Sequence, residues 1–143
     1  MISAVRTDAN LIPVPAVTLA DGDVRLVEPL LGFPDDLAFM LGAVDPNRAM
    51  YTLCSASGLR FILTPAEVFF PGYRVDADSE VRTALGVDAT EPLHVLLVVT
   101  VAGQLADATA NLLAPVVVAG QARRAIQLLL VDSDLPIHAP LVS

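Results

Sequence analysis

Cys54, His94 and His138 are the residues of this 143-residue chain whose types suit covalent catalysis, since a thiolate attacks an electrophile once a nearby imidazole has taken its proton. Their spacing gives no pairing. Cys54 ends the run Tyr51-Thr52-Leu53-Cys54 and reads as a small buried hydrophobe, while His94 reads as the entrance of a strand. The acids suggest other chemistry. Asp76-Ala77-Asp78-Ser79-Glu80 alternates carboxylates as a calcium loop does, yet it lacks the glycine at the sixth position and the glutamate at the twelfth that an EF-hand requires. Read as the start of a helix, the same acids serve as capping and dipole-complementing groups. Asp35-Asp36 and Asp132-Ser133-Asp134 stand in turn settings and read as solvated loops rather than acid/base pairs. The sequence holds no phosphate-cradling glycine loop, no Cys/His metal spacing and no nucleophile elbow. The expectation is a protein that is not an enzyme and carries no cofactor or metal.

Charge narrows the partners. Sixteen acids face eight bases, all of them arginine, for a net charge of −8. An anionic surface repels phosphate backbones and gains nothing from counterion release, so direct nucleic-acid binding is not expected. The same field steers association with a basic protein. Although 55% of the residues are hydrophobic, the longest apolar run, 93–103, contains His94 and is far shorter than the roughly 20 apolar residues of a membrane helix. The first eight residues carry one arginine and an aspartate without the sustained apolar stretch of a signal peptide. With a single cysteine, the chain is expected in the cytoplasm and away from membranes.

The elements that must position these residues are mostly strands. The length suits one domain, 1–143, in which residues 1–15, with Pro13 and Pro15, read as a loose N-terminal arm leading into a first strand near Val17. Segments 24–31, 37–44, 48–54 and 59–64 follow, each bounded by Gly, Pro, Asp or Asn turn residues such as Asp45-Pro46-Asn47 and Ser55-Ala56-Ser57-Gly58. Alternation in the fourth puts Leu59, Phe61 and Leu63 on one face. One short helix is expected over 79–85, with acids before it and Gly86 as its left-handed cap. Segments 93–102, 112–118 and 124–131 complete the set, the first apolar on both faces as a strand covered on each side would be. The fold class expected is all-β, mainly antiparallel, a small barrel-like domain.

One block resists a purely internal reading. Phe69-Phe70-Pro71-Gly72-Tyr73 sets three aromatics around Pro and Gly, so they cannot share one strand face. They either plug the end of the barrel or offer an exposed interface anchor.

This block, the Gly32-Phe33-Pro34 turn, and the stretch from Thr109-Ala110-Asn111 through Pro115-Val116-Val117-Val118 to Arg123-Arg124-Ala125-Ile126-Gln127 resemble the flagellar assembly factor FliW family, in that family's order, over roughly 24–141. The resemblance implies a barrel-like protein, monomeric alone, that acts by binding. Its implied partners are flagellin, held in the cytoplasm before export, and CsrA, a small basic dimer that represses flagellin translation by covering the ribosome-binding region of the message. The two exclude one another, so flagellin secretion frees the protein to remove CsrA from the message. The family's route is described as non-competitive. The residues carried over are Gly32, Phe33, Pro34, Phe70, Pro71, Tyr73, Ala110, Asn111, Pro115, Arg123 and Gln127. Gly32, Pro34 and Ala110 are implied as backbone requirements, and Phe70, Pro71, Tyr73, Asn111, Arg123 and Gln127 as partner-binding. The chain departs from the family pattern at Gly72, where Asp is usual, at Ala119-Gly120, where an Ile-Asn pair is usual, and in a shorter segment 53–58. The rival readings are a barrel holding an apolar small molecule between its strands, which the hydrophobic content suits, and an interaction module of another complex.

Overall fold

The computed structural model describes residues 10–131 and 133–141. Nine strands, β1 (Gly22–Leu26), β2 (Ala38–Ala43), β3 (Tyr51–Ser55), β4 (Arg60–Pro65), β5 (Leu93–Thr100), β6 (Thr109–Ala110), β7 (Val116–Ala119), β8 (Arg124–Gln127) and β9 (Ala139–Pro140), accompany two short helices, α1 (Ala66–Phe69) and α2 (Asp78–Leu85). Strands β4, β3, β2, β1, β8, β7 and β5 pair in that order, and the β4–β5 pairing closes the ring into a seven-stranded barrel. The all-β expectation holds. Every pair is antiparallel except β1 with β8, which run parallel through Arg25↔Arg124 and Leu26↔Ala125. The small strands β6 and β9 extend the sheet beyond β5.

Alternation decides what each strand buries. Inward residues Val24, Leu26, Phe39, Leu41, Leu53, Leu63, Leu96, Val116, Val118 and Ala125 fill the barrel as one core, with Leu59 and Phe61 packed at its edge. Leu59, Phe61 and Leu63 therefore share a face, as their spacing predicts. The interior is occupied by the chain's own side chains, which leaves the between-strand site for an apolar molecule without structural support.

Strands β5, β7 and β8 are apolar on their outer face too, because a second layer covers it. Leu93, Val117, Ala119 and Ile126 meet Val81 and Leu85 of α2, Val75 and Ile12. Leu97 meets Ala66, Ala110, Leu112 and Ala139. The outer face of β1 and β2 has no such cover, and Asp23, Arg25, Ala38 and Met40 there are exposed.

Four expectations are corrected. Residues near Val17 form no strand, and Val17 is exposed. Part of the segment read as a loose arm is docked: Ile12 is buried and donates its N–H to Val75 O at 2.9 Å, while residues 1–9 lie outside the described residues. The expected single helix is joined by α1, which starts directly after Pro65, a residue whose fixed φ suits a helix entrance. Segment 112–118 is broken, since Asn111 Oδ1 accepts the N–H groups of Leu113 and Ala114 at 3.0 and 3.1 Å and turns the chain before β7 begins. No helix among the described residues is long and apolar enough to cross a membrane.

Candidate functional site

The residues singled out for chemistry are dispersed. Cys54 lies on the outward face of β3, half-buried and in register with Met40 and Arg60, and not in the core that its sequence context suggests. His94 points inward at the start of β5, at the other end of the barrel, and His138 is exposed, its Nδ1 3.4 Å from Thr109 Oγ1. Among the described residues, no three His, Cys, Asp or Glu side chains gather as a metal site. The acidic run before α2 does not cap it through its own carboxylates. Asp78 instead pairs with Arg82 one turn on, at 3.0 Å, and the cap comes from Asn10, whose Oδ1 accepts from Ser79 N and Oγ at 3.1 and 2.9 Å.

The aromatic block is a turn stitched onto the second layer. Phe70 donates its N–H to Ala66 O and Tyr73 donates to Phe70 O, both at 2.9 Å. The Phe70 ring packs with the cluster around Leu97, Ala110 and Leu112. Tyr73 bridges this cluster and the one beneath α2, and its hydroxyl donates to Leu112 O at 2.6 Å. Burial raises its phenol well above the usual value, so it remains a neutral donor. What the turn offers to solvent is Pro71 and Gly72. A Cβ added at Gly72 meets nothing within 4 Å, so a larger side chain fits there without repacking.

Arg123 sits in the β7–β8 turn with φ +59°, a left-handed conformation uncommon for a non-glycine residue. The turn is held by the buried Glu91, whose Oε2 accepts the N–H groups of Gln121 and Ala122 at 2.6 and 2.8 Å. Arg123 then reaches across the barrel seam. Its Nε donates to Asp23 O at 2.9 Å and its Nη1 to Gly120 O at 3.3 Å. Beside this turn His94 is buried, and its Nε2 has no hydrogen-bond partner. Burial first, and the nearby Arg123 guanidinium second, hold its imidazole below the usual histidine range, against a smaller opposing pull from Glu91. Gly120 makes room for the ring: a Cβ there would lie 2.9 Å from His94 Nε2.

At the far end of the barrel Gln127 joins two segments, accepting Leu31 N–H at 3.0 Å through Oε1 and donating to Ala114 O through Nε2 at 3.4 Å. Phe33 plugs that end edge-on to Phe61, ring centroids 5.1 Å apart, after Gly32 turns the chain at φ +88°. Of the six residues expected to bind a partner, Pro71 is exposed and its carbonyl accepts from Arg74 Nη1 at 3.5 Å, whereas Phe70, Tyr73, Asn111, Arg123 and Gln127 each hold the fold at a named contact. They lie at three separate places. Asn10 and Glu91, which sequence reading did not single out, act over long separations that no local pattern marks.

Three comparisons bear on kinship. The family model described as FliW protein matches residues 16–141. The flagellar assembly factor FliW of Syntrophotalea carbinolica is 33% identical over 123 residues, covering 85% of this chain and 87% of that protein. That of Bdellovibrio bacteriovorus is 35% identical over 129 residues, covering 87% and 73%. A crystal structure of the flagellar assembly factor FliW superposes with a TM-score of 0.75 at 26% identity, covering 85% of this chain and 86% of the other.

Proposed function

The chain belongs to the FliW family, and from that premise we propose that it is a non-enzymatic flagellar assembly factor that binds flagellin in the cytoplasm and antagonises the translational repressor CsrA. It works as one domain, monomeric when alone. The observation that carries the reading is the family match across 16–141 on a barrel of the same fold. The net charge of −8 supports it, because an acidic surface attracts a basic repressor and rejects the RNA that the repressor holds.

Partner switching is a coupling free energy between two binding events. Flagellin lowers the affinity for CsrA by some factor, and by linkage CsrA lowers the affinity for flagellin by the same factor. Antagonism without competition for the RNA site requires that the protein prefer the CsrA conformation that holds RNA poorly. Pro71 and Gly72, exposed at the tip of the aromatic turn, offer one contact surface, with Phe70 and Tyr73 fixing its shape.

The deciding experiment loads CsrA on the leader of a flagellin message and adds this protein, then flagellin. Release of RNA on the first addition and its rebinding on the second are expected. A protein that binds neither flagellin nor CsrA in calorimetric titration would remove the reading.

A further inference from the structure

The outer face of β1 and β2, which no second layer covers, carries more bases than acids in a chain where acids are twice as many. Strand register sets Asp23, Met40, Cys54 and Arg60 in one row across four strands, and Arg124, Arg25 and Ala38 in the next. Alternation turns these residues outward, since Val24, Leu26, Phe39, Leu53 and Ala125 between them fill the core. Strands β4, β3, β2, β1 and β8 thus hold three arginines and a single acid, Asp23. Arg123 adds a fourth guanidinium from the β7–β8 turn. With Asp23, Arg25, Ala38, Met40 and Cys54 it lines a groove of about 670 Å³.

These arginines are not spent on carboxylates. Arg25 and Arg60 are exposed, and among the described residues none of the four enters an ion pair. Arg124 donates to Leu85 O and Gly86 O, and Arg123 to Asp23 O and Gly120 O, while the buried Nη2 of Arg123 has no hydrogen-bond partner. Arg25 and Arg124 stand directly opposite across the parallel seam, an arrangement of like charges that weakens a sheet. Asp36, beside the β3–β4 turn at the edge of the face, accepts from Ser57 Oγ. Physiological salt screens charge beyond about 8 Å, so the face shows a partner its own sign and not that of the whole chain.

We propose that this face docks an acidic segment of a partner protein, its carboxylates reaching Arg25 and Arg60 and an apolar side chain seated on Ala38, Met40 and Cys54. The apolar centre selects a protein over nucleic acid, and a phosphate backbone continuing past the arginines would meet the acids of the surrounding surface. The inference rests on the functional reading above for its probe. Of the two partners proposed there, the basic CsrA is repelled by these arginines, which leaves flagellin as the occupant.

The test titrates flagellin, CsrA and the leader RNA of a flagellin message separately against the wild-type protein, Arg25→Glu/Arg60→Glu and Met40→Ser, with a thermal melt on each. Arg25→Glu places an acid opposite Arg124, so the melting temperature of the first variant should hold or rise while its flagellin affinity falls by about ten-fold or more. Met40→Ser should weaken flagellin binding by about three-fold or more with the fold intact, since the side chain it replaces is exposed. CsrA affinity should not fall in either. Unchanged flagellin affinity in either variant, a loss confined to CsrA, or RNA binding by the wild-type protein that the charge reversal removes overturns the proposal while leaving the functional reading in place. No flagellin binding by the wild-type protein overturns both.

Discussion

Gly120→Ala tests the relation between His94 and the β7–β8 turn. Gly120 is not among the glycines with positive φ, so alanine meets no backbone penalty there. The only obstacle is the ring: the new Cβ would lie 2.9 Å from His94 Nε2 and 3.1 Å from Cδ2, with Leu19 Cδ1 at 3.8 Å. Ordinary contact begins near 3.5 Å, so the overlap is about half an ångström. Overpacking of this kind costs about 1–3 kcal/mol, which for a domain of this size lowers Tm by on the order of 3–10 °C. In a His94→Ala background the obstacle is gone, and Gly120→Ala should be neutral or stabilise by up to about 1 kcal/mol through the unfolded chain. Urea unfolding of the four proteins in this double-mutant cycle measures the coupling. An equal cost of Gly120→Ala with and without the ring would refute the steric argument.

Three further outcomes follow from named contacts. Tyr73→Phe removes the donor to Leu112 O and should cost about 0.5–1.5 kcal/mol in urea unfolding while sparing affinity for flagellin in titration; reduced affinity at unchanged stability would make Tyr73 an interface residue. Asn10→Ala removes the cap of α2 from outside the helix and should cost about 1 kcal/mol, read as a lower Tm. His94 has a folded-state pKa below its unfolded value, so its neutral form favours folding: stability is complete above about pH 6.5, falls as pH drops below that, and levels off below the folded pKa. Urea midpoints between pH 7.5 and 5 should show this slope, and His94→Ala should flatten it.

Much of the fold was legible because its information is local. Turn residues such as Asp45-Pro46-Asn47 bounded the strands, alternation oriented Leu59, Phe61 and Leu63, and the two-sided apolarity of 93–102 marked a strand with cover on both faces. The errors arose where a distant or side-chain bond overrode the local pattern. Asn111 looked like one polar residue before an apolar run, yet its Oδ1 takes two backbone donors and delays β7 to Val116. Ile12 looked like part of a loose arm because its burial depends on Val75 and α2, far along the chain. At the candidate site, the family motif marked Arg123, Asn111 and Gln127, but their internal bonds to Asp23, Leu113 and Leu31 depend on chain crossings that no spacing reveals.

The parallel seam between β1 and β8 has a consequence for the timing of folding on the ribosome. The strands that meet there are drawn from opposite ends of the chain, Arg25 against Arg124 and Leu26 against Ala125, and the Arg123 bond to Asp23 lies at the same junction. Strands β1 to β4 can form a meander early, since each hairpin is local, but the ring has no closing partner until β8 has left the exit tunnel. Until then the nascent sheet carries an open edge on β1 and an uncovered apolar inner face, the combination that invites wrong pairing. Closure is therefore a late event, and the protein becomes a sealed barrel only when nearly all of it has been made.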